Sequence, residues 1–224
     1  GQPFQAYILA KKGLRASDTF SALMMRFVIY QVSIFSWALI LLVINFQFFN
    51  ETFKDYIWLI VLGFIMNLIA TLFILIAGIN KKIILKISNI LIRLIAKIRI
   101  GKHHFIKDVE ATLEKADNSI SNYSNQFNKM KNNGLTIVKM YVVVMLQLFA
   151  YFSIPFMIYK AFGNSGISYF EILTVQTFLL IVMSFIPTPG SGLGAEGGFA
   201  LLYSTVFLKG LNMGILFWRI YTYY

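Results

Sequence analysis

Residues 186–198 read IPTPGSGLGAEGG and lie inside an otherwise apolar region of the chain. This stretch holds two prolines and five glycines. Proline lacks the amide donor that a helix needs and glycine costs backbone entropy, so the sequence predicts that a helix breaks here. In hydrocarbon such a break is tolerated only where it is buried in protein or lines a polar cavity. Broken helices of this kind often mark the binding sites of transporters.

The composition of the chain indicates a membrane protein. Its 224 residues are 58% hydrophobic and only 13% charged, with a mean hydropathy of +0.71. A soluble domain would carry about a quarter charged residues. We therefore predict an all-α, polytopic integral membrane protein with a single transmembrane domain over residues 1–224. Because the chain begins at Gly1 and Tyr224 falls within an apolar run, we expect an internal fragment of a longer protein.

Apolar runs predict the membrane spans, since about 20 residues of helix cross a hydrocarbon core of about 30 Å. The broken segment covers residues 187–208, and its last part, 199–208, is either a half-helix or a re-entrant segment. The residues from Ser168 to Glu171 have the spacing of a helix capping box. The predicted spans are residues 27–49, 56–80, 136–159, 168–186 and a last one from 211.

The charges predict the orientation. The net charge is +11, and eleven of the lysines and arginines fall within residues 81–131. By the positive-inside rule, residues 1–26 and the loop 81–134 are cytoplasmic, which makes the chain a multi-pass protein of the cell membrane. The stripe from Val109 to Met130 on the second helix of that loop predicts that this helix packs back on its neighbour.

The first helix of the loop is basic and amphipathic. Lys82, Lys86, Arg93 and Lys97 recur at helical spacing, opposite a face of isoleucines. One interpretation is a helix on the anionic headgroups of the inner leaflet. The other is a helix that packs on the membrane bundle and shows a charged face to solvent, and the two are compatible. Nucleic acid is not an expected partner, because the basic face carries no stacking aromatics.

Two charges are predicted to lie within the membrane region, Glu196 and Arg219. A charge at that depth costs several kcal/mol unless it is paired or hydrated. The pair is either a structural ion pair or part of a site in which free N–H groups and glycines admit a lipid phosphate. Arg219 would neutralise the phosphate, and Glu196 would hold a cationic headgroup or carry a proton. The candidate headgroup site comprises Pro187, Pro189, Gly190, Gly192, Gly194, Glu196 and Arg219.

These residues resemble a known family. The run from Pro187 to Glu196, followed by Leu216-Phe217-Trp218-Arg219, is similar to the signature of the lysylphosphatidylglycerol synthase transmembrane, or flippase-like, family. The opening GQPFQAY and the later Lys12-Gly13-Leu14 also look like that family's first cytoplasmic stretch. Ser191 departs from the pattern, which commonly has glycine there. The resemblance covers the whole chain.

The resemblance implies a role in lipid metabolism. Bifunctional members of the family make aminoacylated phosphatidylglycerol from aminoacyl-tRNA in a separate soluble domain and move it to the outer leaflet, where it repels cationic antimicrobial peptides. Three hypotheses follow: a lipid translocase, the membrane part of a phosphatidylglycerol lysyltransferase, and a non-transporting membrane scaffold. The expected partners are membrane phospholipids, and the sequence does not decide whether the chain forms a homo-oligomer. No cofactor, metal site or catalytic residue is predicted in this chain.

Overall fold

The computed structural model describes residues 8, 11, 13, 16–96, 99–100, 103–104, 108–185 and 192–223, and nearly all of them are helical. A single short antiparallel pair of two-residue strands occurs within these ranges, so the all-α class is confirmed. The elements in order are α1 (Ala16–Ile44), α2 (Phe46–Phe53), a 3-10 turn (Lys54–Tyr56), α3 (Ile57–Ile79), α4 (Lys81–Ala96), β1 (Arg99–Ile100), β2 (His103–His104), α5 (Val109–Lys131), α6 (Gly134–Ala161), α7 (Tyr169–Phe185), α8 (Gly192–Tyr203) and α9 (Leu211–Tyr223).

Three helical stretches in the described part of the chain are long and apolar enough to cross a membrane. They are Ala22–Ile44, Phe46–Ile79 and Gly134–Ala161, with mean hydropathies of 2.3, 2.8 and 1.9. Large apolar side chains such as Val43, Trp58 and Leu146 are exposed along them. A soluble protein seldom exposes so much apolar surface, whereas a membrane protein turns such a surface to lipid. The chain is therefore a polytopic helical membrane protein.

The first predicted span, residues 27–49, does not form one helix. Helix α1 begins earlier and ends at Ile44, and α2 starts afresh after Asn45, whose backbone leaves the helical region. The Asn45 side chain donates a hydrogen bond of 2.9 Å to the hydroxyl of Thr174 on α7. Asparagine is a poor residue for a helix interior because its side chain competes with the backbone for hydrogen bonds. Here the side chain of Asn45 is bonded instead to Thr174, which is distant in the sequence.

The chain divides into two compact units, and each has its own core. Unit 1 comprises Gly1–Ile29 and Thr71–Lys139, and unit 2 comprises Tyr30–Ala70 and Met140–Tyr224. In unit 2, α7 is buried on nearly every side, as is typical of a helix that is apolar all round. Its start is the predicted capping box: the Ser168 amide donates to Glu171 Oε2 at 2.6 Å, and the Glu171 amide donates to Ser168 Oγ at 3.3 Å. That prediction is confirmed.

In unit 2 a polar contact joins α1, α3 and α7. The Asn67 amide on α3 donates to the backbone carbonyls of Gly63 at 2.8 Å and Ile181 at 3.2 Å. Its Oδ1 accepts a hydrogen bond of 2.7 Å from Gln31 on α1. One turn before Asn67, a Cβ added to Gly63 would lie 3.0 Å from the Ile181 carbonyl oxygen. The missing side chain at Gly63 thus lets α3 approach the backbone of α7.

A second polar contact in unit 2 joins the loop after α6 to the loop before α9. The buried side chain of Asn164 donates from Nδ2 to the Lys209 carbonyl at 3.0 Å, and its Oδ1 accepts from the Lys209 amide, also at 3.0 Å. The asparagine therefore satisfies both backbone groups of Lys209. Gly210, which follows, has φ of +74°, a conformation that favours glycine.

Replacing Asn164 by alanine is expected to lower the melting temperature of the detergent-solubilised protein. The variant leaves the Lys209 amide and carbonyl without this partner, and each unsatisfied buried group costs roughly 1–3 kcal/mol. The control is Lys209→Ala, which keeps both backbone groups and removes an exposed side chain. Equal melting temperatures for Asn164→Ala and the parent protein would contradict a structural role for this contact.

In unit 1 the predicted packing of the second helix of loop 81–134 is confirmed. Helix α5 packs on α4, and its Tyr123 and Phe127 are buried. The Tyr123 hydroxyl donates to the Ile74 carbonyl on α3 at 3.0 Å. Burial raises the pKa of the Tyr123 hydroxyl to about 12, so it remains a donor at neutral pH.

Candidate functional site

The structure describes only part of the predicted headgroup site. Pro187, Pro189 and Gly190 fall in residues 186–191, which lie outside the described residues. Helix α7 ends at Phe185 before them, and α8 begins at Gly192 after them. These predicted site residues therefore stay predictions.

The predicted broken segment 187–208 contains a short helix in its central part. Residues 192–203, including Gly194 and Gly198, form the helix α8. The physical reason is close packing, because a Cβ at Gly198 would lie 2.9 Å from Leu179 Cδ1 on α7. Ala195 and Phe199, on the same face of α8, are wholly buried. Gly198 therefore serves the contact between two helices rather than a break. With 12 residues, α8 is too short to span a bilayer.

Glu196 on α8 and Arg219 on α9 are brought together, as the sequence suggested. Arg219 Nε donates a hydrogen bond to Glu196 Oε1 at 3.4 Å. The Arg219 side chain is 12% exposed, whereas the Glu196 side chain is 52% exposed. A carboxylate has room for about four hydrogen bonds, so the exposed Glu196 can accept a further cationic partner without leaving Arg219.

Buried polar side chains of unit 2 extend the site, and the sequence analysis missed them. Gln176 on α7 is wholly buried, and its Oε1 accepts a hydrogen bond of 3.0 Å from the Tyr203 hydroxyl on α8. Tyr151 on α6 is close enough to Gln176 and Arg219 for its hydroxyl to interact electrostatically with both side chains. A glutamine inside an apolar run was the available signal, because an uncharged polar group in hydrocarbon also needs a partner.

Two buried donors in this region lack a normal hydrogen bond. Gln176 Nε2 and Trp218 Nε1 have no partner of ordinary geometry in the part of the chain that the structure describes. Trp218 precedes Arg219, and its ring lies 5.7 Å from the arginine Cζ. A buried donor without an acceptor costs roughly 1–3 kcal/mol, so such groups are suited to a bound water or ligand oxygen.

An apolar groove of about 590 Å³ lies between α6 and α9. Phe217 and Tyr221, one turn apart on α9, form one wall and stand on either side of Arg219 in the sequence. The opposite wall is aliphatic and aromatic, formed by Ile154, Met157, Ile158, Ala161 and Phe162. The groove can therefore take an apolar chain beside a helix that also carries a cation.

The predicted membrane-surface residues lie on α4. Lys82, Lys86 and Arg93 are exposed there, and Lys97 is outside the described residues. Among the isoleucines of this helix, Ile84 is buried while Ile87 and Ile90 are exposed. No group of three His, Cys, Asp or Glu side chains within the described ranges could hold a metal ion.

Together, the long apolar helices and the largely helical fold define a polytopic helical membrane protein. Over residues 1–224 the chain matches the family model described as the lysylphosphatidylglycerol synthase TM region, and it belongs to that family. No curated protein and no solved structure matches the chain. The family indicates a membrane function related to lysylphosphatidylglycerol.

Proposed function

We propose that the protein moves an anionic or aminoacylated phospholipid, such as lysylphosphatidylglycerol, between the leaflets of the cell membrane. The observation that carries this proposal is the pair of Glu196 and Arg219, in which the carboxylate is 52% exposed. A lysylphosphatidylglycerol headgroup has both a phosphate and amines. Its phosphate would bind Arg219 while its amines bind Glu196, so each charge of the pair would gain a further partner of opposite sign.

The surroundings of the pair support the same proposal. Gln176 Nε2 and Trp218 Nε1 are donors that a headgroup oxygen would satisfy. Both are fixed by neighbouring helices, so they are already ordered before a ligand arrives. The groove beside Phe217 and Tyr221 is apolar along its length, which suits an acyl chain. Headgroup and acyl chain would then contact opposite sides of α9.

The proposed orientation follows from charge. Residues 1–26 and 81–134 would be cytoplasmic because they hold most of the net charge of +11.

The test is transbilayer movement of lysylphosphatidylglycerol in proteoliposomes. Each lipid tested carries a fluorophore on one acyl chain, and a membrane-impermeant reductant bleaches the fluorophores that reach the outer leaflet. We expect lysylphosphatidylglycerol to reach the outer leaflet much faster in vesicles that contain the protein than in protein-free vesicles. In the protein-containing vesicles it should also move faster than phosphatidylcholine. Equal rates with and without protein would overturn the proposal. Equal rates for lysylphosphatidylglycerol and phosphatidylglycerol would overturn recognition of the amines by Glu196.

A second candidate function is the membrane part of a phosphatidylglycerol lysyltransferase that contributes to resistance against cationic peptides. The family description, which names a synthase, favours it. This activity needs a site that transfers lysine from lysyl-tRNA to the lipid hydroxyl. Formation of lysylphosphatidylglycerol by this chain from lysyl-tRNA and phosphatidylglycerol would support the transferase, and its absence together with lipid movement would favour the translocase.

A further inference from the structure

Helix α4 begins where a membrane span ends. Helix α3 ends at Ile79, and Asn80 alone separates it from Lys81, the first residue of α4. The backbone amide of Asn80 donates a helix-type hydrogen bond of 2.8 Å to the Ile76 carbonyl of α3. The side-chain Oδ1 of Asn80 accepts a hydrogen bond of 3.4 Å from the Ile83 amide of α4. Asparagine is a favoured residue at the start of a helix because it accepts such a bond. The start of α4 is therefore held at the end of a span.

Helix α5 is fixed to that same end of α3. The Ser124 hydroxyl donates to the Gly78 carbonyl at 2.9 Å, one turn after the contact between Tyr123 and Ile74. A Cβ at Gly78 would lie 2.5 Å from the Phe127 ring, so only glycine admits this ring. Because α4 packs on α5, both helices are held beside the end of the span.

The surface of α4 is divided into three stripes. The buried stripe contains Ile84, and Ser88 and Ile92 next to it line a small cavity that Tyr123 also lines. The second stripe is apolar and exposed, with side chains 36–53% accessible at spacings of four, three and four residues: Ile83, Ile87, Ile90 and Leu94. The third stripe is cationic and exposed. Each of its residues precedes a member of the apolar stripe by one position and lies about 100° away around the helix: Lys82, Lys86 and Arg93.

We propose that α4 lies in the plane of the membrane surface, with the exposed apolar stripe among the acyl chains and the cationic stripe on anionic phospholipid headgroups. The apolar stripe alone would accept any apolar surface. The neighbouring cations select an anionic one. A second copy of α4 is a poor occupant, because it would bring the same three cations of two chains together. This inference concerns unit 1 and does not rest on the proposed function of the charged pair.

The test measures how deeply the apolar stripe lies in lipid, using the full chain in vesicles. The parent chain has no cysteine, so single variants Ile87→Cys and Ile90→Cys can each be labelled with an environment-sensitive fluorophore. Asn118→Cys, on an exposed position of α5, is the control for water. We expect lipid-attached quenchers to reach the labels at 87 and 90, and an aqueous quencher to reach the label at 118.

The role of the cations is tested by replacing Lys82, Lys86 and Arg93 with glutamine in the Ile87→Cys chain. In vesicles that contain phosphatidylglycerol, losing three cations should shift the balance of docked and undocked helix by on the order of a hundredfold. Phosphatidylcholine vesicles should show little change. The matched control removes the same charge from exposed positions of α5, with Lys115, Lys129 and Lys131 changed to glutamine.

Three results would overturn the proposal. The label at 87 could be as accessible to the aqueous quencher as the label at 118. Neither the aqueous nor the lipid-attached quencher could reach that label, which would indicate that protein covers the stripe. Finally, cysteines at position 90 of two copies could cross-link efficiently, which would make a second copy the occupant.

Discussion

Changing Glu196 to glutamine, or Arg219 to alanine, is expected to slow lysylphosphatidylglycerol movement by about 10- to 100-fold, because a hydrogen bond to a charged group contributes roughly 1.5–3 kcal/mol. Glutamine keeps the size of Glu196 and removes the charge that would hold the amines. Alanine at Arg219 removes the cation that would hold the phosphate. The measurement is the initial rate of lipid movement in proteoliposomes, beside the melting temperature of each variant in detergent.

Two control variants make the same chemical changes elsewhere. Glu51→Gln alters an exposed carboxylate on α2, and Lys209→Ala removes an exposed cation before α9. Both should move lipid at the parental rate. Parental rates for Glu196→Gln and Arg219→Ala as well would remove these residues from the site.

Exchanging the two charges separates a headgroup site from a structural ion pair. In the double variant Glu196→Arg with Arg219→Glu, a carboxylate and a guanidinium again face each other, so the melting temperature should recover. The headgroup would meet its charges in reversed places, so lipid movement should stay low. Recovery of both quantities would support a purely structural pair.

Replacing Gly63 by leucine is expected to destabilise the protein by about 3 kcal/mol, a typical cost of overpacking a tight contact. A Cβ at this position would lie 3.0 Å from the Ile181 carbonyl oxygen and 3.3 Å from Val182 Cα. Both are backbone atoms, which cannot turn away as a side chain can. The separation of α3 from α7 would also weaken the bond from Asn67 to the Ile181 carbonyl. Thermal unfolding in detergent measures the effect.

The control is leucine at Gly197 on α8, where an added Cβ meets no atom within 4 Å. Leucine favours a helix more than glycine by about 1 kcal/mol, so this variant should melt at or above the parental temperature. If Gly63→Leu has the same melting temperature as Gly197→Leu, the close approach of α3 to α7 does not limit stability.

Much of the architecture could be predicted because strong physical signals carry it. Long charge-free runs predicted the spans, and the Ser168 capping box was confirmed in atomic detail. Glu196 and Arg219 stood out because charges are rare in such runs, and the structure pairs them at 3.4 Å. The match over residues 1–224 confirms the family that the Pro/Gly motif suggested.

Other features escaped prediction for equally physical reasons. The end of α1 before Asn45 depends on Thr174, far along the chain, and no local pattern reports such a partner. Gln176 lowers the hydropathy of its run only slightly, so the signal of its polar side chain was weak. The helical glycines of α8 were taken as breakers, because composition does not tell whether a missing side chain serves a turn or a helix contact.

The contact between Asn67 and α7 has a consequence for how the chain is made. The Ile181 carbonyl follows Asn67 by 114 residues, so at a synthesis rate of about 5–20 residues per second it emerges roughly 6–23 s later. Until then Asn67 can accept the bond from Gln31 but cannot donate to α7. A nascent chain that stalls before α7 would expose an incompletely bonded amide to lipid. Such an intermediate is a natural substrate for the insertases and proteases that survey newly made membrane proteins.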